Sequence, residues 1–293
     1  MKKKILFIIN PISGNKPLIK EKVEGLIDNK LDKEKFNYKI KKTERAKHAI
    51  EISENAINEG FDIIIVVGGD GSVNEVAQSI INTEIILGII PLGSGNGLAR
   101  HLKIPLIPEN AIKLINQLNV KKIDTATCND NFFVSIAGIG FDALVAEKFA
   151  KMKRRGFSSY LKIITREYPF YQPLDYEINI DGKQIQRNAL LINFANSDQF
   201  GYETSIAPNA KIDDGLIDVC IVKKPPLVEL PILAHLLYRK QIDKSKFMEI
   251  IKAKKITINQ KNITTVNVDG EPMESGKKVE IRINPSSLNV IVP

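Results

Sequence analysis

The chain has 293 residues, enough for about two ordinary domains and for a core that needs no disulfide or metal staple. Apolar residues make up 43% and charged residues 26%, which excludes a disordered, fibrous or membrane-embedded chain. Lysine and arginine outnumber aspartate and glutamate by 42 to 34, a net charge of +8 that favours anionic partners such as nucleotides, nucleic acid or anionic lipid.

The first apolar run, Ile5–Ile9, follows Lys2, Lys3 and Lys4. It is shorter than the ~7–15 residues of a signal-peptide core and is cut by Asn10-Pro11, so it reads as a first β-strand. A helix over Lys16–Leu26 follows, with Pro17 suited to its first turn. Tyr38–Ile40 is a short strand, and Ala46–Asn58 a helix with Ala49, Ile50, Ile52, Ala56 and Ile57 on its apolar face. Asp62–Val67 is β-branched and apolar nearly throughout, as a central parallel strand should be. Ser72–Ile81 is a helix and Ile85–Ile90 another buried strand. This rhythm predicts an α/β nucleotide domain over residues 1–124: a Rossmann-like, mostly parallel sheet with helices on both faces.

Beyond Asp124 the strands become short and often alternate apolar with polar residues. Examples are Asp175–Ile180, Ile217–Val222, Ile256–Ile258, Thr264–Val268 and Val279–Ile283, and Asp181-Gly182 is a hairpin signal. They predict an antiparallel β-sandwich domain over residues 125–284, with a last strand, Leu288–Val292 within 285–293, returning to the first domain. A helical stretch from Asp142 to Phe170 lies between the halves. From Lys148 to Arg166 it carries seven basic residues and no acidic one, interleaved with Phe149, Met152, Phe157, Tyr160, Leu161 and Ile164. That pattern suits an anionic membrane surface, and equally a solvated helix face. No run reaches the ~18 apolar residues of a membrane helix. The nearest, Leu227–Leu237, carries Glu229, Pro231 and His235. The expectation is a cytoplasmic protein touching the inner face of the membrane peripherally. Cys128 and Cys220 read as buried core thiols, and the three histidines show no metal-ligand spacing. The absence of tryptophan and of a recognition motif argues against nucleic acid.

Six of the 18 glycines fall in two loops, each directly after a buried strand. The first is Gly68-Gly69-Asp70-Gly71-Ser72; the second is Gly93-Ser94-Gly95-Asn96-Gly97. A third loop, Asn10-Pro11-Ile12-Ser13-Gly14, follows strand one. In an open parallel sheet such loops lie beyond the carboxyl ends of the strands, where ligands bind. Glycines let backbone N–H groups approach a phosphate closely, and a following helix N-terminus strengthens the site. Asp70 among phosphates requires a Mg²⁺ or a bound water between the charges. There is no P-loop, and Gly138-Ile139-Gly140 lacks the acidic residue that a dinucleotide fingerprint needs about 20 positions on.

Together these blocks resemble the diacylglycerol kinase catalytic-domain family, which includes bacterial lipid kinases and sphingosine kinases. The resemblance rests on Asn10-Pro11-x-Ser13-Gly14, on Gly68-Gly69-Asp70-Gly71-Ser72 with Asn74-Glu75-Val76, and on Pro91-Leu92-Gly93-Ser94-Gly95-Asn96 with Leu98-Ala99-Arg100. It continues in Gly140-Phe141-Asp142, in 211–216 and in Asp269-Gly270-Glu271, and so covers essentially the whole chain. The GGDG block alone is less specific, since NAD kinases and phosphofructokinases share it.

The resemblance implies an ATP- and Mg²⁺-dependent kinase acting on the hydroxyl of a membrane lipid, diacylglycerol or a sphingoid base or ceramide. Asp70 corresponds to the aspartate that organises Mg²⁺–ATP through water. Asn10, Thr43, Gly68, Gly69, Gly71, Ser72, Asn74, Gly93, Ser94, Gly95 and Asn96 fall at nucleotide-lining positions; Ser72 and Ser94 keep the hydroxyl of a usual threonine. Asp124 matches an acidic position of the magnesium network, and Glu271 the general base. The backbone of Lys211 and Leu216, with the Asp214 carboxylate, resembles a structural Mg²⁺ site of some bacterial members. Gly97 departs from the aspartate of many bacterial members, which opens a sphingoid substrate and makes Asp142 a candidate at the lipid head group. A helix-capping role for Asp142 is as well supported. The implied partners are a membrane lipid and an anionic membrane surface, with a homodimer left open. The rivals are a kinase of the same superfamily acting on NAD or a soluble alcohol, and a nucleotide- or lipid-binding regulator without turnover. Retention of Asp70 and Glu271 argues against the regulator.

Overall fold

The computed structural model describes residues 2–13, 17–152, 156–201, 204–260 and 264–293. Among the sequence-predicted positions, Gly14, Lys16, Lys153, Arg154 and Arg155 lie outside the described residues. The chain divides into two compact units, Met1–Ile123 with Ser286–Pro293, and Asp124–Pro285.

The first unit alternates strands and helices: β1 (Lys3–Ile9), α1 (Pro17–Lys30), β2 (Phe36–Lys42), α2 (His48–Asn58), β3 (Ile63–Gly68), α3 (Asp70–Ile80), β4 (Ile86–Pro91), α4 (Gly97–His101) and α5 (Pro108–Gln117). The strands are parallel in the order β2-β1-β3-β4. Every residue of β3 is buried, so the continuous β-branched run has helix or strand on all sides. The chain leaves β1 for β2 on one side and crosses back to β3 on the other. That reversal opens a crevice at the carboxyl ends of β1 and β3, where an open α/β sheet takes its ligands. Helix α3 starts at Asp70, two residues earlier than the sequence suggests, because Gly69 is extended and Asp70 already takes the first turn. There its charge complements the helix dipole. Helix α2 starts two residues later than predicted, since Lys47 is left-handed (φ 61°). Glu75 of α3 accepts the Lys47 and Ala49 N–H groups there, at 3.1 and 3.3 Å.

The chain continues through β5 (Val120–Cys128), β6 (Asn131–Phe133), β7 (Ile136–Gly140), α6 (Phe141–Ala150), α7 (Phe157–Glu167), β8 (Leu174–Ile180), β9 (Lys183–Ala189), β10 (Leu191–Ala195), β11 (Gln199–Gly201), β12 (Thr204–Ser205) and β13 (Ile217–Val222). After a 3₁₀ turn, Leu227–Glu229, come α8 (Leu230–Tyr238), a second 3₁₀ turn (Ile242–Lys244), β14 (Met248–Ala253), β15 (Lys255–Asn259), β16 (Thr264–Val268), β17 (Glu271–Ser275) and β18 (Lys278–Ile291). In the second unit β9, β8, β15 and the first part of β18 pair antiparallel, facing a six-stranded antiparallel sheet, β14-β13-β10-β7-β16-β17. Ile178, Ile256 and Ile281 of one sheet and Ile192, Phe194 and Val219 of the other form a single core, which makes this a β-sandwich. The far face of the six-stranded sheet is covered by α6, α7 and α8, through Phe141, Val145, Ile163 and neighbours. Burial on both faces explains why β10 and β13 are mostly apolar, with Asn193 and Asp218 their polar exceptions.

Three expectations change. Val279–Ile283 and Leu288–Val292 are one strand, β18; its first half pairs with β15 and its last residues with β4, so Pro285 marks a change of partner and not a turn. The helical stretch from Asp142 to Phe170 is two helices. Its basic run is also less charged than it reads, because acids just outside the run pair with it: Lys148 with Glu167 at 2.8 Å and Lys151 with Glu147 at 2.6 Å. Phe149, Met152, Tyr160 and Ile164 pack on the core. Among the described residues, no helix is long and apolar enough to cross a membrane.

Candidate active site

In the first unit the three loops converge. Main-chain bonds carry each strand's pairing one residue past its end: Asn10 N–H to Val67 O, Thr43 N–H to Ile9 O and Leu92 N–H to Gly68 O. The Asn10 side chain donates to Ser72 Oγ at 2.9 Å, tying the β1 loop to helix α3. Gly69 and Gly93 cross back to back. A Cβ on Gly93 would lie 2.5 Å from Gly69 Cα, so the two loops touch through bare backbone. Asn96 holds a left-handed conformation (φ 54°) and closes its own loop, accepting from Gly93 N–H at 2.9 Å and donating to Gly93 O at 2.8 Å. Arg100 Nε donates to Gly95 O at 2.9 Å. Asn10, Thr43, Gly68, Gly69, Ser72, Gly93, Gly95 and Asn96 therefore lie at one edge of one sheet. Gly71 and Ser94 are exposed there and Asn74 lies one turn into α3.

Asp70 sits where these loops meet. Its Oδ1 accepts from Gly97 N–H at 2.7 Å, and its Oδ2 lies against Gly95. The bond to position 97 is made by main chain, so glycine supplies it as well as aspartate would. Mg²⁺ is commonly held by one or two carboxylates with waters and substrate phosphates. One carboxylate beside phosphate-binding loops fits that chemistry. An open hollow lined by Lys2, Lys3, Lys35 and Phe36 lies at the amino ends of β1 and β2, at the other end of these strands.

The second unit groups the remaining residues in two places. Asp124 is buried; its Oδ2 accepts from Gly215 N–H at 2.7 Å and its own N–H donates to Ile212 O. It therefore fastens the 211–216 loop, which brings Asp124, Lys211, Asp214 and Leu216 together. The Asp214 carboxylate, however, takes Lys252 Nζ at 2.6 Å and Leu216 N–H at 3.1 Å. An ammonium therefore pairs with the one carboxylate of the expected structural Mg²⁺ site, whose other expected ligands are the main-chain groups of Lys211 and Leu216. Among the described residues, no three His, Cys, Asp or Glu side chains gather to hold a metal.

The second place surrounds Glu271. It is exposed at the start of β17, paired with Val268 across an Asp269-Gly270 turn. Both turn residues have positive φ (47° and 91°), the two-residue hairpin geometry that Asp-Gly favours. The Asp269 carboxylate accepts the N–H groups of Val134, Ser135 and Ile136, all at 2.9 Å. Asn267 Oδ1 accepts from Gly270 N–H at 3.0 Å, while its Nδ2 donates to Asp142 Oδ2 at 2.9 Å. Asn193 Nδ2 donates to the same oxygen at 2.9 Å. Asp142 is 4% exposed, and burial pushes its carboxyl up, against the opposing effect of the two amides. It makes no side-chain cap for α6. The sequence reading missed Asn193, Asn267 and the clamp role of Asp269. The available signal was polar residues in otherwise apolar strands, which are rarely buried without partners.

Comparison with known proteins agrees with the motifs. Residues 4–128 match the diacylglycerol kinase catalytic domain model, and residues 135–292 match the YegS C-terminal NAD kinase beta sandwich-like domain model. A Staphylococcus aureus (strain bovine RF122 / ET3-1) protein named diacylglycerol kinase is 32% identical over 92% of this chain and 87% of its own length. Two solved structures from Bacillus anthracis str. Sterne each match 99% of this chain and 97% of theirs. Their TM-scores are 0.81 at 27% identity and 0.77 at 24%; the second is named a diacylglycerol kinase.

Proposed function

As the chain belongs to the diacylglycerol kinase catalytic-domain family, lipid kinases that use ATP on an alcohol group, we propose that its own acceptor is the hydroxyl of diacylglycerol. The observation that carries the reading is the state of Asp142. A sphingoid base carries an ammonium and calls for an accessible, ionised carboxylate. Asp142, the carboxylate the sequence offered for that task, is enclosed, takes two amides on one oxygen, and is pushed by burial towards its neutral form. We assign it instead to positioning: through Asn267 it fixes the turn that presents Glu271. A neutral glycerol head group needs no such counter-charge.

The first unit holds the nucleotide in this reading. Main-chain N–H groups of 69–71 and 94–96, the start of α3 and the Ser72 and Ser94 hydroxyls bind the phosphates. Asn10 and Thr43 line the same edge of the sheet. Mg²⁺, bound with ATP, neutralises phosphate charge, and Asp70 is the residue that would hold it. Phosphoryl transfer depends mostly on positioning and charge neutralisation. The main-chain bond from Gly97 keeps Asp70 oriented for this. In the second unit Glu271 takes the proton of the acceptor hydroxyl as its oxygen bonds to the γ-phosphorus of ATP and the bond to the bridging oxygen breaks, releasing ADP. Asp269 keeps that carboxylate at a fixed point of the hairpin. Asp124 acts by holding the 211–216 loop.

γ-Labelled ATP with a panel of lipid alcohols tests the reading. Diacylglycerol should be labelled and sphingosine not. Asp70→Asn and Glu271→Gln should each lower kcat by roughly a hundredfold or more, the usual weight of a general base or a charge-stabilising group. Labelling of sphingosine in preference, or unchanged rates in both variants, would overturn it.

A further inference from the structure

Helix α8 is unlike the other surface helices. No charged residue occurs from Leu230 to Tyr238. Leu230, Leu233 and Leu237 turn one face onto the core of the second unit. The opposite face is mostly apolar, with His235 its exposed polar side chain: Ile232 is 56% and Tyr238 66% exposed, and the preceding 3₁₀ turn adds Leu227 at 60% and Val228 at 82%. A helix with apolar residues on both faces belongs inside a core or in a membrane. At about 13 Å, nine residues are far too short to span ~30 Å of hydrocarbon but suit lying in the plane of a bilayer surface.

Its flanks say which surface. Lys223-Lys224 precede the segment and Arg239-Lys240 follow it, with Lys244 and Lys246 beyond; of these Lys240 is paired with Asp198 at 2.8 Å. Its one acid, Glu229, is paired with Lys246 at 2.8 Å. Lys224 Nζ donates to Tyr171 O at 2.7 Å, and Tyr168 OH donates to Pro225 O. These bonds draw the turn after α7 beside the segment, and Phe170 in that turn is 82% exposed.

We propose that Leu227–Tyr238, with Phe170, is the face that seats in the headgroup layer of an anionic bilayer, with Lys223 and Arg239 resting on lipid phosphates. This assigns docking to α8 and not to α6 and α7, where Lys148 and Lys151 are paired and four of the six interleaved apolar residues pack inward. The inference rests on the lipid-kinase reading, since a membrane substrate requires a membrane-facing surface.

The chain has no tryptophan, so Val228→Trp gives a single reporter. Its emission should shift to the blue and be quenched by brominated acyl chains in phosphatidylglycerol vesicles, while Ile107→Trp, in the first unit, should do neither. The double variant Val228→Glu/Ile232→Glu should bind those vesicles at least roughly tenfold more weakly, about 1.4 kcal/mol, yet phosphorylate a soluble short-chain diacylglycerol at the wild-type rate. Unchanged vesicle binding, or a blue shift that grows with protein concentration without vesicles, would overturn the proposal. The second result would mean that another copy of the chain covers the face. Vesicle docking by a wild-type protein that labels no short-chain diacylglycerol would instead fault the acceptor assignment and support the docking face.

Discussion

Replacing Asp142 with alanine removes the acceptor of two buried amides, those of Asn193 and Asn267. A buried donor left unpaired costs about 1–3 kcal/mol, so the variant should lose roughly 2–6 kcal/mol of stability in urea unfolding. Asp142→Asn keeps an acceptor oxygen and nearly the same volume, and its new amide has a buried acceptor to hand in Asn193 Oδ1, for which no hydrogen bond is seen. It should cost far less, about 1 kcal/mol or under near pH 4. The pH dependence separates charge from shape. Burial raises the folded carboxyl above the unfolded one, so on raising the pH above about 4 the unfolded chain ionises first. The contribution of Asp142 to wild-type stability therefore falls through that window, and the asparagine variant lacks this dependence. The cost of Asp142→Asn should shrink, or reverse, between pH 4 and pH 7. An alanine variant no less stable than the asparagine variant, or a gap that widens with pH, would refute the network.

Gly93→Ala would push a methyl to within 2.5 Å of Gly69 Cα and 2.8 Å of Asn96 Oδ1. Gly69 is bare backbone, and Asn96 Oδ1 is held by the Gly93 N–H, so the ATP KM should rise by roughly tenfold or more, the order lost when backbone must move to admit a group; an unchanged KM would speak against loop crossing as the nucleotide site. Asp269→Ala strips three main-chain N–H groups of a charged acceptor, each bond worth about 1.5–3 kcal/mol. Both urea midpoint and kcat should fall, because the Glu271 hairpin loses its clamp. Burial pushes the Cys128 thiol up to about 12 and that of Cys220 well above its usual value. Both should resist thiol reagents at pH 8 in the folded protein and react on unfolding.

Much of this was legible in the sequence because the chemistry is local. The buried β-branched run Ile63–Val67 and the glycines after it are consecutive, and a strand–loop–helix unit follows from their order alone. The Asp181-Gly182 turn is likewise read from two residues, since positive φ at both favours that pair. What the tertiary structure decided are the meetings between distant segments. Gly69 touches Gly93, Asp70 finds the Gly97 N–H, and Asp142 gathers amides from positions 193 and 267. The basic run was misleading for the same reason. Its charge seemed unopposed within its own window, but Glu147 and Glu167, just outside, neutralise its ends once the helices fold back. Pattern along a chain reports what a residue can do; burial and the charge beside it, which set its protonation and its partner, exist only once the chain has folded.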